Sequence, residues 1–255
     1  MYILGISAYF HDASAAIFKD GDLIAAIEEE KLSRIKHDYG FPKHAIQYCL
    51  DEAKIESSEI DFVVFYEKPF IKFERILKTV IWGFPKTFKL FQESMKGWLF
   101  DKLWITTTIQ TELNIPRNKI MFSNHHLSHA ASSYYCSPFD KSAIVTFDGV
   151  GEWATTTISE GNGSNITMKK EIRFPHSLGL IYSVFTAFLG FEINEGEYKV
   201  MGMAPYGNPI YTDKVRKVIS VNNDGSFSVN KNYISYHYST KSSYSKEFVK
   251  LFGEP

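Results

Sequence analysis

One pattern occurs twice in this chain, and it limits the folds available more than any other feature. Tyr2 to Ser7 is an apolar, β-branched run, followed by a short polar loop from Tyr9 to Ser14. A second run covers Ala15 to Lys19, Asp20-Gly21-Asp22 makes a tight turn, and Leu23 to Glu29 runs back. Asp-Gly suits this place because primed hairpin turns need positive φ. Roughly 140 residues later the order repeats. Ala143 to Phe147 is an apolar run, Asp148 to Glu152 a loop, and Trp153 to Ser159 a second run. Gly161-Asn162-Gly163 is the turn, and Asn165 to Glu171 the third run. Ile3 aligns with Ile144 and Gly21 with Gly161. Runs of this length and composition read as strands, so the repeat predicts two related lobes, each opening on three antiparallel strands.

A polar loop directly after the first strand is the opening of an actin-like, ribonuclease-H-like lobe, where backbone amides hold phosphate. The expected class is therefore α/β, with duplicated lobes of that type. The first lobe is expected over residues 1–141, with a helical insert at about 68–105, and the second begins over 142–255. Glu28 to Asp38 is charge-dense and reads as a solvated strand end or loop. Pro42 opens a helix whose apolar face is Ala45, Ile46, Cys49, Leu50 and Ala53. Ile60 to Tyr66 reads as a strand. The insert mixes lysines with Phe70, Trp82, Phe84, Phe88, Trp98 and Phe100 and splits near Gly83-Phe84-Pro85. A packed helical pair with lysine heads in water explains this better than a membrane-surface helix, because lysine stems cover apolar surface without lipid. Thr106 to Leu113 continues as helix and Ile120 to Phe122 as strand. Further on, 175–191 is an apolar helix, Gly196 to Gly207 a glycine-punctuated loop, Tyr211 to Ile219 helical and Phe227 to Tyr238 extended.

The chemistry concentrates between the two repeats. Asn124-His125-His126-Leu127-Ser128-His129-Ala130 holds three of the chain's 8 histidines. On a helix, His125 and His129 share one face and their imidazoles converge. Asp148 follows a strand, which delivers its carboxylate to a loop. Two imidazoles and one carboxylate, with positions left open, suit a working divalent transition metal better than a closed structural site. Surface or capping histidines and an ordinary Asp-Gly turn would explain the same letters. His126 faces away from the His125–His129 side and is read as supporting rather than ligating.

Composition excludes several classes. The chain has 255 residues, a net charge of -1 and only two cysteines, Cys49 and Cys136. No global field points to nucleic acid, and a reduced, cytoplasmic setting without disulfides is the expectation. No apolar run reaches membrane-spanning length, and the first residues lack the basic start of a secretory leader. The last residues, Lys250 to Pro255, close no evident element, so a piece of a longer protein is expected.

Five motifs, in order, resemble one family. They are His11-Asp12-Ala13-Ser14-Ala15 with the run Glu28 to Lys36, then His125 to Ala130, Asp148 to Glu152, Ser177 to Tyr182, and Lys199 to Gly207. The chain resembles the O-carbamoyltransferases of nodulation and antibiotic biosynthesis. The likeness implies the two-lobed actin-like ATPase fold. It implies that carbamoyl phosphate and ATP give carbamoyl-adenylate in a separate C-terminal domain. The carbamoyl group then passes to a small-molecule hydroxyl at a metal in this domain. It implies iron held by His125, His129 and Asp148, with a further aspartate outside this sequence. His11 is the candidate to touch the adenylate or move a proton, and Lys36 the candidate cation for phosphate. Asp12, Gly149, Gly151, Glu152 and Lys199 are the candidate nucleotide contacts. No nucleic acid or membrane partner is expected, and a homodimer is allowed. Two other readings share the letters: an ATP-hydrolysing or sugar-kinase-like relative without the metal, and a non-catalytic nucleotide-binding module.

Overall fold

A computed structural model describes residues 1–100 and 102–255, and the side chains of 96–102, including Trp98 and Phe100, lie outside the description. The chain divides into two compact units. Residues 1–70 and 95–128 form the first, and residues 71–94 and 129–255 the second.

The first unit begins with β1 (Tyr2–Ser7), β2 (Ser14–Lys19) and β3 (Asp22–Glu28). They pair antiparallel, with Ser7 opposite Ser14 and Lys19 opposite Asp22. The charged run then departs from the expected loop: Glu29–Ser33 is a short helix, α1. Glu29 is buried within it, at 3% exposure. Its carboxylate accepts from the backbone amides of His44 (3.2 Å) and Ala45 (2.7 Å). Those are the first donors of α2 (Lys43–Ala53), and Pro42 at its N-cap has no side-chain oxygen to offer them. A distant carboxylate therefore caps this helix, which no local signal in the charged run announces. The α2 stripe buries Ala45, Ile46, Cys49 and Leu50 as expected. Burial also pushes the Cys49 thiol up to about 11.

β4 (Phe62–Phe65) lies parallel to β1, and β5 (Ile120–Phe122) parallel to β4. The sheet order is β3-β2-β1-β4-β5. Leu4, Ile6, Ile17, Val63 and Phe65 from the strands meet Ile46 and Cys49 of α2 and Ile105, Ile109 and Leu113 of a later helix in one core. Between β4 and β5 run α3 (Pro69–Gly83), α4 (Phe88–Phe100) and α5 (Ile105–Leu113). The split between the first two falls at Gly83 to Pro85, where proline denies a continuing helix its hydrogen bond. Both α3 and α4 cross from one unit to the other along the chain.

α6 (His125–Tyr134) follows β5 and enters the second unit at His129. There the meander recurs as β6 (Lys141–Phe147), β7 (Ala154–Asn162) and β8 (Asn165–Arg173), antiparallel in the order β6-β7-β8. Gly161, expected in a turn, lies inside β7 and pairs with Ser142. The Tyr134 ring occupies the space a Cβ would need, at 2.5 Å. That ring, with Ala130 and Ile144, makes a small core that seats the second half of α6. The Tyr134 hydroxyl also reaches the carbonyls of Asp140 (2.7 Å) and Gly163 (3.0 Å).

α7 (Leu178–Phe188) is the apolar helix. The stretch expected as a glycine loop is instead α8 (Glu197–Met203) followed by a turn of 3-10 helix. Gly202 has open space around it and breaks nothing, while Gly196 precedes the first turn. α9 (Thr212–Val218) leads to β9 (Ile219–Val221), which pairs with β10 (Phe227–Val229). Only those three residues of the expected 227–238 strand are extended in a sheet. The chain then turns, with α10 (Lys246–Phe252) packing Phe248 against Phe185 and Phe188.

Candidate functional site

In the first unit, the loop between β1 and β2 holds Tyr9 and Asp12 at positive φ, 63° and 52°. Non-glycine residues hold that conformation at a cost. The offset comes from hydrogen bonds: Tyr9 N donates to Tyr39 O, and Ala13 N to Asp38 O. The Asp12 carboxylate is flanked by two imidazoles, His11 Nδ1 at 2.8 Å and His37 Nδ1 at 2.7 Å. Partial burial pulls the Asp12 pKa up, but the hydrogen bonds and charges of His37 and His11 outweigh it, leaving the carboxyl below its ordinary range. Glu30 joins by accepting the His37 amide at 2.9 Å. Its own carboxyl is lowered by Lys31 and by that amide, against the opposing charge of Asp12. Asp12, Glu30 and His37 each bring an atom within 4.8 Å of the others. His37 was not among the residues singled out from sequence. Its neighbour Lys36 is exposed.

His125 is also placed by the first unit. It is 7% exposed and begins α6. Its Nδ1 lies 3.6 Å from the carboxylate of Glu67, itself 2% exposed, and its ring lies 5.6 Å from that of Tyr66. Ser128 Oγ donates to Tyr66 O at 2.8 Å, tying the first turns of α6 to the end of β4. At 3.6 Å the pair is within ion-pair distance but beyond hydrogen-bond length. Sequence reading missed Glu67, although it carries the same signal as Asp148, an acid just past a strand. His126 is buried, at 2% exposure.

In the second unit, His129 stands one turn along α6 from His125. Its Nε2 lies 4.0 Å from Asp148 Oδ2. That is longer than a hydrogen bond, and longer than the roughly 3.3 Å between two tetrahedral ligands that each sit roughly 2 Å from a metal. Two imidazoles and a carboxylate are a donor set that suits a divalent transition ion, iron included. The Asp148 loop is clamped from α7. Ser177 Oγ bonds to the carbonyls of Asp148 (3.0 Å) and Gly149 (2.7 Å) while accepting from Leu180 N (3.0 Å) as the helix cap. A Cβ on Gly179 would meet Asp148 C and O at 2.6 Å. The helix start and the loop touch only because that position has no side chain. Gly149 packs on Leu180, and Gly151 and Glu152 are buried. Lys199 is exposed on α8, with its ammonium 6.0 Å from the Phe191 ring centre.

The sequence matches the model of one protein family, described as the carbamoyltransferase N-terminus, over residues 2–255. The chain belongs to that family. A Synechocystis protein, sll1178, is 46% identical across the whole of this chain, which spans 42% of that relative. Nodulation protein NolNO of Sinorhizobium fredii is 37% identical over 80% of this chain and 29% of its own length. The chain therefore spans less than half the length of these relatives. Among solved structures, component A of (R)-2-hydroxyglutaryl-CoA dehydratase from Acidaminococcus fermentans aligns with a TM-score of 0.39 at 12% identity, over 82% of this chain and 70% of that one. YeaZ from Pseudomonas aeruginosa aligns at 0.37 and 14%, over 69% of each. Among the described residues no helix is long and apolar enough to cross a membrane.

Proposed function

We propose that this chain is the transfer domain of an O-carbamoyltransferase. In this reading a small-molecule hydroxyl attacks the carbamoyl carbon of carbamoyl-adenylate, the bond to the phosphate oxygen breaks, and AMP leaves with that oxygen. Carbamoyl phosphate and ATP supply the adenylate elsewhere in the longer protein. His125, His129 and Asp148 hold a divalent ion, iron by family likeness. When bound, such an ion supplies a Lewis acid that stabilises negative charge on the carbamoyl oxygen. The observation that carries this reading is His129 Nε2 standing 4.0 Å from Asp148 Oδ2, with His125 one turn away on the same helix.

His11 takes the hydroxyl proton. Its Nδ1 is held by Asp12 at 2.8 Å, which leaves Nε2 to accept and keeps the resulting imidazolium beside a carboxylate. In each unit the loop after the first strand is the phosphate-binding loop of the proposal, the β1–β2 loop with Asp12 in one and the loop with Gly149, Gly151 and Glu152 in the other, since backbone amides of such loops bind oxygens. Lys36 and Lys199, both exposed, are the mobile cations of the proposal. The test is a His129→Ala variant of the full-length protein. Bound metal is expected to fall at least tenfold, with carbamoyl transfer lost alongside, because one of three ligands is gone. Wild-type metal content with wild-type transfer would remove the site.

A further inference from the structure

The second unit contains a cavity of about 670 Å³, which lies in the range of small-molecule sites. Nothing in the transfer chemistry above uses it. Its wall carries Trp82, Trp153 and Phe174, with Lys86, Lys231 and His237 at its margin. The two indole rings lie 6.0 Å apart, tilted at 46°. A guanidinium, that of Arg75, backs the Phe174 ring at 5.1 Å. Trp82 is 72% exposed although large and apolar, and Lys86 and Lys231 are exposed as well. No carboxylate lines the cavity among the described residues.

Two further observations define what fits. His237 Nδ1 is buried and has no hydrogen-bond partner among the described residues. Burial and the charge of Lys231 hold the His237 pKa below its ordinary value. The cavity wall is also continuous with the Asp148 loop. Phe174 N donates to Trp153 O at 2.9 Å, Asp148 N donates to Thr155 O at 2.9 Å, and Phe174 stands three residues before the Ser177 clamp.

We propose that this cavity binds an aromatic acid: the ring lies against Trp82, Trp153 and Phe174, and the anion meets Lys86 and Lys231. Stacking on tilted aromatic walls favours a flat ring, and two lysines without a competing carboxylate favour one negative charge.

The probe is 4-(hydroxymethyl)benzoate, titrated into the full-length protein while tryptophan fluorescence is followed. Saturable quenching is expected, with benzyl alcohol and glucose binding at least tenfold more weakly. A Lys86→Gln/Lys231→Gln double variant, altered only at exposed side chains, is expected to bind the acid at least tenfold more weakly yet keep its circular dichroism. Equal binding of acid and neutral alcohol, or wild-type affinity in the double variant, overturns the site. A His129→Ala variant keeps probe binding, so loss of the metal reading leaves this result readable.

Discussion

At the scale of single residues, the informative groups are carboxylates that share a proton-binding partner. Glu67 is buried against His125 at 3.6 Å. Replacing it with glutamine keeps the volume and removes the charge that favours the ring's ligating form. A Glu67→Gln variant is expected to bind divalent metal roughly ten times more weakly, measured by titration with a chelator, while its unfolding midpoint stays close to wild type. Unchanged affinity would mean that the carboxylate serves packing alone. Asp12 gives a pH test. Its folded pKa lies below the ordinary 3.8 because of His37 and His11. A depressed acid stabilises the fold above its unfolded pKa and loses that contribution as pH falls through the folded value. The stability gap between wild type and Asp12→Asn should therefore be full at pH 6 and shrink below pH 3.8. Denaturant titrations across that window would show it, and a gap that stays constant down to pH 3 would speak against the imidazole contacts.

At the scale of elements, the clamp between α7 and the Asp148 loop is the decisive joint. Gly179→Ala puts a methyl carbon 2.6 Å from Asp148 C and O. Those are backbone atoms that cannot turn away, so the loop or the helix start must shift. Such overpacking costs about 1–3 kcal/mol, and it moves a proposed metal ligand. Chemical denaturation together with metal content should report both effects, and an unaltered protein would place the helix start further from the loop than described. Ser177→Ala removes a cap worth about 1 kcal/mol along with its bonds to two loop carbonyls, so it should loosen the same loop without adding bulk. How much of this was legible varies by element. The strands, the α2 stripe and the α6 face followed from periodicity, because a half-buried element must sort its side chains by side. α1 and the Glu29 cap did not, because a buried glutamate and a solvated one read alike until their partners, here His44 and Ala45, are known. α8 was misread because its glycines sit at the helix start and in open solvent, where they leave the helix intact.

At the scale of the whole molecule, the repeat is visible as two three-stranded meanders, β1-β2-β3 and β6-β7-β8. They differ in their neighbours: β1 has β4 alongside it as well as β2, whereas β6 has β7 alone among the described strands. With a span below half the length of its curated relatives, the chain is proposed to hold one lobe and the opening of another. The expected outcome is that the 255 residues by themselves consume neither carbamoyl phosphate nor ATP, while the longer protein does. A coupled assay for phosphate release distinguishes the two. Turnover by the short chain would show that both halves of the proposed chemistry reside in it.

The sequence by itself settled what depends on local order: the period of the first strands and of α2 and α6, the duplicated meander, and the placing of two histidines on one helical face. These need only the geometry of the backbone and the sorting of apolar side chains from water. Tertiary structure alone decided which distant groups meet, since such pairs leave no spacing in the chain. Glu67 behind His125, His37 on Asp12, Glu29 over the start of α2, and Gly179 against the Asp148 backbone each join residues whose contact exists only once the core has closed.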